Sequence, residues 1–144
     1  MLLGTYSVAF TSKHRVAIPS SFRKDLGEKF ILARWYEDCL VLVNKDFWNA
    51  LWQRLTGGEK IIVTSIRDTE RFIMASAYEV EPDDQGRIVI SERLVLYAGF
   101  KESIVFLGIG DRVEIWDEIK WNQKERLLIK EAPALIDKLA NDRR

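Results

Sequence analysis

The sequence predicts an α+β fold assembled from two related β-rich halves, on three observations. A series of features in the first half recurs in the same order 72 to 73 residues later. Apolar runs of strand length, one of them alternating with period two, are separated by polar turns. Short helices are announced between them by Ser, Pro or Asn starts and glycine stops. With 144 residues, 47% hydrophobic and 31% charged, the chain can bury one core and is too apolar for extended disorder. A single cysteine, Cys39, rules out an internal disulfide and fits a reducing compartment.

Each element has a local reason. Residues 1–12 are the longest uncharged run, yet they alternate: Tyr6, Val8 and Phe10 fall on one side, Thr5, Ser7 and Ala9 on the other. That pattern is a strand and not a signal peptide, and no run reaches the roughly 18 residues of a membrane span. A cytoplasmic protein is expected. Residues 5–10 and 78–80 are strands entering polar turns, and residues 15–18 and 87–90 are the strands that leave them. Lys13-His14-Arg15 reads as a hairpin-like turn. Pro19, Ser20 and Ser21 open a short helix with Phe22 and Leu26 inward and Gly27 as its stop. Ser91 caps the counterpart through Tyr97, with Leu94 inward and Gly99 ending it.

Residues 30–33 with 40–43, and 104–107 with 113–116, are apolar strands, the second pair separated by a turn over Gly108-Ile109-Gly110-Asp111. Asn44 or Asp46 caps a helix through Leu55, and Gly57-Gly58 ends it. Residues 61–66 read as a strand, with 69–77 open between helix and strand. Residues 117–130 read as an amphipathic helix that Pro133 interrupts, with Leu135, Ile136 and Leu139 in a last short helix. This tail is expected to pack on its own core, the sharper alternative being that it covers a neighbouring subunit. Of the tryptophans, Trp48, Trp52, Trp116 and Trp121 are expected in core packing, and Trp35, beside Tyr36 in a loop, is expected to be the most exposed.

The repeat sets residues 13–20 against residues 85–92, with Arg15 on Arg87, Val16 on Ile88 and Phe22 on Leu94. After a one-residue slip, residues 38–43 meet 111–116, and Trp48 falls on Trp121. The chain therefore divides into a first half, residues 1–58, a linker, 59–76, a second half, 77–122, and a helical tail, 123–144.

Catalytic chemistry finds little support. His14 is the only histidine, Cys39 opens an apolar strand, and Gly-x-Ser-x-Gly, HExxH, CxxC, Walker and GxGxxG patterns are absent. Asp83-Asp84 and Asp117-Glu118 sit at a turn and a helix start, where acids serve the backbone. No enzyme, metal, cofactor or small-molecule substrate is expected.

The charge distribution points elsewhere. The 22 basic and 22 acidic residues cancel, which on its face argues against a nucleic-acid binder. By position, residues 1–24 hold Lys13, Arg15, Arg23 and Lys24 and no acid; residues 1–72 carry 11 basic against 8 acidic groups, the rest 11 against 14. Guanidinium groups on a strand-edge turn suit phosphate and the N7/O6 edge of guanine.

Leu3-Gly4-x-Tyr6, followed by Lys13-x-Arg15-Val16-x-Ile18-Pro19-x-x-Phe22-Arg23, resembles the opening of the MraZ family. Asp83-Asp84-Gln85-Gly86-Arg87-Ile88, then Tyr97-Ala98-Gly99 and Gly108-x-Gly110-Asp111-Arg112-x-Glu114-Ile115-Trp116-Asp117, resemble its second signature, so the likeness spans residues 3–122. The resemblance implies a duplicated SpoVT/AbrB-like swapped-hairpin β-barrel with short helices and a C-terminal helix. It also implies ring-like homo-oligomers and a transcriptional regulator of repeated promoter boxes on double-stranded DNA upstream of cell-division and cell-wall genes. Each half of the family carries Asp-x-x-x-Arg, usually with Gly before the Arg. Asp83, Gly86 and Arg87 fit, whereas Thr11 and His14 replace the acid and the glycine of the first copy.

The expected DNA contacts are Lys13 and Arg15, with His14 beside them, and Arg23 and Lys24 on the backbone. Arg87 is either a second reader or a structural mate held by a flanking carboxylate. The rival expectation is a ring-forming scaffold in which DNA binding has been altered or lost.

Overall fold

Residues 1–58 and 61–142 are described by the computed structural model. Residues 59–60, where the expected linker begins, and 143–144, which end the tail, lie outside them. Along the described chain run β1 (Leu2–Ala9), β2 (Arg15–Ala17), α1 (Ser20–Leu26), β3 (Phe30–Arg34), β4 (Leu40–Asn44), α2 (Trp48–Thr56) and α3 (Thr64–Met74). There follow β5 (Tyr78–Val80), β6 (Arg87–Val89), α4 (Glu92–Ala98), β7 (Ser103–Gly110), β8 (Val113–Asp117) and α5 (Glu118–Asp142). A 3₁₀ turn at Lys45–Phe47 precedes α2, and Asn44 opens it by accepting the Asp46 N–H at 2.8 Å. The architecture is a mixed α+β fold with antiparallel sheets and a C-terminal helix.

Six strands form one antiparallel sheet in the order β1-β7-β8-β4-β3-β5, and β2 pairs with β6 in a separate ribbon. The repeat makes β1 the equivalent of β5, β7 of β3 and β8 of β4, so the sheet order reads the same from either edge. Each half lends its first strand to the other: β1 pairs with β7, and β5 with β3. Val41 lies opposite Glu114, and Val16 opposite Ile88, each facing its own repeat equivalent. A pseudo-two-fold therefore passes through both pairs.

Both faces of the sheet are covered. On one, Leu32, Leu42, Phe106 and Ile115 meet Val16, Ile18, Phe22, Ile88 and Leu94 from the ribbon, α1 and α4. On the other, Val41, Val43, Val105 and Trp116 meet Leu51 and Ile73, with Trp48, Trp52 and Trp121 packed around them. Two-sided burial explains why residues 40–43 are apolar without alternation. Each large side chain removed from water here stabilises the fold by about 1.5–3 kcal/mol.

Several expectations need correction. The turn after β1 is not hairpin-like, because the strands flanking it pair with different partners from the other half. Residues 61–66 are not a strand: a turn leads into α3, and Arg67 donates to the carbonyls of Ile61 and Ile62, leaving those apolar side chains exposed. A short β-branched run cannot by itself distinguish the two outcomes. Residues 108–110 belong to β7, since β1 pairs along its whole length from Ala9↔Ser103 to Leu2↔Gly110. Trp35 is not exposed but 2% accessible, under the guanidinium of Arg112 at 5.9 Å. Pro133 lies inside α5 and does not end it; the start of that helix packs on the core through Trp121, while apolar side chains further along it do not. Ile129, Leu135, Ile136 and Leu139 remain exposed.

At Gly108 the exchanged strand leaves no room for a side chain. A Cβ there would lie 2.5 Å from the backbone nitrogen of Leu3 and 2.6 Å from the carbonyl carbon of Leu2, atoms with no freedom to move aside. Replacing Gly108 with Ala is expected to destabilise the protein by about 1–3 kcal/mol, read as a lower urea midpoint.

Candidate nucleic-acid interface

The two turns that the repeat equates have the same backbone. His14 N–H donates to the Thr11 carbonyl at 3.0 Å, and Gly86 N–H to the Asp83 carbonyl at 2.9 Å. His14 takes the left-handed conformation at φ 58°, as Gly86 does at 74°. Histidine is among the side chains that enter this region with modest strain, so the first turn survives without glycine. Beyond the turns the halves cross: Ile90 N–H donates to the His14 carbonyl at 2.8 Å, and Ile18 N–H to that of Gly86 at 2.9 Å.

Strand periodicity then orients the charges. Val16 and Ile88 are buried, so their neighbours point away from the core. The outward pairs are Arg15↔Val89 and Ala17↔Arg87, which set the two arginines diagonally across the pseudo-two-fold. Lys13, Arg15 and Lys24 are exposed, while Arg87 and His14 are half-buried. The His14 ring stacks on Phe10 at 5.6 Å and 13°, and Phe10 packs edge-on to Phe100 at 5.4 Å.

The two copies differ electrostatically. Asp83 accepts the backbone N–H groups of Gln85 and Arg87 and the Arg87 guanidinium, each at 2.9 Å. The Arg87 N–H is the foremost reason its carboxyl sits below the ordinary carboxylate range, with Gln85 N–H and the guanidinium adding to it. Thr11 replaces this with a hydroxyl donating to the Arg15 carbonyl at 3.4 Å. Among the described residues, no carboxylate forms an ion pair with Lys13, Arg15 or Lys24.

Arg23 is brought to the same face but is engaged. Its Nε donates to the Ile18 carbonyl at 3.0 Å and its Nη2 to that of Gln85 at 3.3 Å, bracing the second turn from the first half. Its guanidinium covers Gly86 so closely that a Cβ there would lie 2.2 Å from Arg23 Cζ. The repeat equivalent of Arg23 is Val95, a far shorter side chain. A Cβ at position 86 would displace the Arg23 guanidinium from where it lies, whereas position 14 carries a histidine.

Two contributors escaped the sequence reading. Tyr78 ties down the end of β6, its hydroxyl donating to the Val89 carbonyl at 3.2 Å and accepting the Ser91 N–H at 3.0 Å. Val89 is a valine 51% exposed beside Arg15. Its signal was its place in the alternating repeat strand; its partner could be known only from the cross-pairing. Elsewhere, Cys39 is buried, and that burial, with the charge of Glu114 next, pushes its thiol far up and leaves it unreactive. Among the described residues, no group of three or more His, Cys, Asp or Glu could hold a metal ion, and no helix is long and apolar enough to cross a membrane.

Comparison with known proteins gives one answer. The family model described as "MraZ protein, putative antitoxin-like" matches residues 1–64 and 73–141. A "Transcriptional regulator MraZ" of Leuconostoc citreum is 41% identical over 124 residues, 84% of each chain. Another of that title, from Acetivibrio thermocellus, is 37% identical over 140 residues, 97% of each chain. A third, from Caldanaerobacter subterraneus, is 37% identical over 126 residues, 85% of each chain.

Two outcomes follow from the turns. Replacing Gly86 with Ala is expected to cost about 1 kcal/mol or more in thermal or urea unfolding, because φ is positive and a Cβ would push the Arg23 guanidinium off the Ile18 and Gln85 carbonyls. Asp83, with its folded pKa depressed, contributes stability that is present above the unfolded carboxylate value and is lost as pH falls through the folded one. The stability gap between the native protein and Asp83→Asn should therefore shrink on acidification from neutral pH to about pH 3. A constant gap would assign the carboxylate no role in the turn.

Proposed function

The chain belongs to the MraZ family, a family of transcriptional regulators and not of enzymes, and from that membership we propose a sequence-specific regulator that reads repeated promoter boxes through its β2–β6 ribbon. The single observation that carries this is the register of the ribbon. It turns Arg15 and Arg87 outward on a two-stranded element of the size that the major groove admits, with Lys13 in the adjoining turn.

Within that reading the contacts are unequal. Arg15 and Lys13 are the primary readers, unopposed by acids. His14 lends shape to the turn through Phe10. Lys24 contacts phosphate, Arg23 chiefly joins the two turns, and Arg87, held by Asp83, is a secondary contact. The exchange of strands between halves supports a duplicated swapped-hairpin barrel of SpoVT/AbrB type.

So few cations per subunit give weak, salt-sensitive binding, and several subunits on several boxes supply avidity without new contacts. A ring-like homo-oligomer acting on the nucleoid in the cytoplasm fits this need, and the uncovered apolar side of α5 supports assembly.

The test is a gel-shift and footprint on DNA upstream of the chain's own coding sequence, run across a salt series. Arg15→Ala should lose about 1–3 kcal/mol per bound subunit together with specificity, and Lys13→Ala should lower the salt slope by about 1 per subunit. Specific binding by Arg15→Ala equal to that of the native protein overturns the assignment. Absence of any salt-dependent shift for the native protein favours a scaffold that has lost its DNA role.

A further inference from the structure

Building on the DNA-binding reading above, we infer that Val89 is a specificity-determining residue that recognises the C5 methyl of a thymine next to the base contacted by Arg15. Val89 sits directly opposite Arg15 in the ribbon, flanked in sequence by Ile88 and Ile90, which are 2% and 0% accessible. It is itself 51% accessible, an apolar side chain set out on the same face as the arginine. The repeat does not demand a branched apolar residue there: the symmetry-related position is Ala17, opposite Arg87.

The backbone around Val89 is held from both sides. Its carbonyl accepts the Tyr78 hydroxyl at 3.2 Å, and the next N–H but one, that of Ser91, donates to the same hydroxyl at 3.0 Å. Ile90 N–H is fixed to the His14 carbonyl at 2.8 Å. The Val89 backbone is thus held in place, its Cα about 5 Å from that of Arg15, the spacing of directly opposed strand residues. A bidentate arginine on guanine O6/N7 and an apolar contact to a thymine methyl are the two complementary major-groove signals that such a pair can read together. The opposite corner sets Arg87 against Ala17, a shorter and half-buried side chain with less reach to a methyl, and its arginine is held by Asp83. The ribbon is therefore a directional reader in spite of its two-fold pairing, with the Arg15–Val89 corner dominant.

The experiment uses the full-length protein and a duplex covering the footprinted segment upstream of its own coding sequence, with each thymine replaced in turn by deoxyuridine. Removing the recognised methyl should weaken the native protein about fourfold per contacted box, the equivalent of about 0.8 kcal/mol for one buried methyl group. Val89→Ala, which shortens the apolar contact, should show a clearly smaller penalty at that position, and Val89→Ile, which keeps β-branching and a methyl contact, should retain it in full. Thermal unfolding of both variants checks that the ribbon is intact. Native protein that binds the duplex yet is indifferent to deoxyuridine at every thymine overturns the role of Val89 and leaves the DNA-binding function standing. A penalty that persists undiminished in Val89→Ala also overturns it. No specific binding of the unmodified duplex overturns the DNA-binding function and this inference with it.

Discussion

Strand β2 is three residues long, and its ladder partner is its own repeat equivalent, β6, more than seventy residues away. No such strand is stable by itself; the pair survives because Val16 and Ile88 plug the core beneath it and because each turn carbonyl accepts an N–H from the other half. Everything that bears on function hangs from that pairing. It fixes which side chains of the ribbon face out, brings the two repeat turns together, and lets Arg23 of one half brace the turn of the other.

Symmetry is thereby used for architecture and broken for chemistry. The backbone of the two turns is nearly superfluous to distinguish, yet one carries an acid that immobilises its arginine and the other a threonine that leaves its arginine unpaired. The same break explains the two departures from the family signature. Thr11 removes the carboxylate, and His14 takes the left-handed position that Gly86 takes in the second turn, where the Arg23 guanidinium lies against it. A cation-rich first turn and a self-neutralised second turn come out of one repeated fold.

Much of this was legible in the residues. The helix stops at Gly27 and Gly99 and the cap at Ser91 are local signals that the structure bears out, and of Asn44 or Asp46 it is Asn44 that caps, though it opens the 3₁₀ turn ahead of α2. What failed was non-local. Strand exchange cannot be read from period or propensity, so the turn after β1 looked like a hairpin and β7 looked short. Trp35 stood beside polar residues in the sequence, but the β7–β8 end folds Arg112 over it. Ile61 and Ile62 mimicked a strand because their apolar side chains are left exposed, contrary to the usual inference from hydrophobicity. Within the site, the residue types were legible, but the division into outward readers and the bracing Arg23 depended on the register.

The crossed topology also sets a timetable for synthesis. When β2 leaves the ribosome, the strand it must pair with has not been made, and at about 5–20 residues per second the wait is roughly 4 to 15 s. Strand β1 waits longer still, because its ladder is closed only by residues 103–110. Through that interval the first half holds unpaired strand edges and an incomplete core, a high-contact-order situation that slows folding and exposes the nascent chain to wrong partners. A second copy emerging from a neighbouring ribosome offers the same repeat strands. The architecture that builds the ribbon therefore places a premium on keeping nascent chains apart until each has finished its own second half.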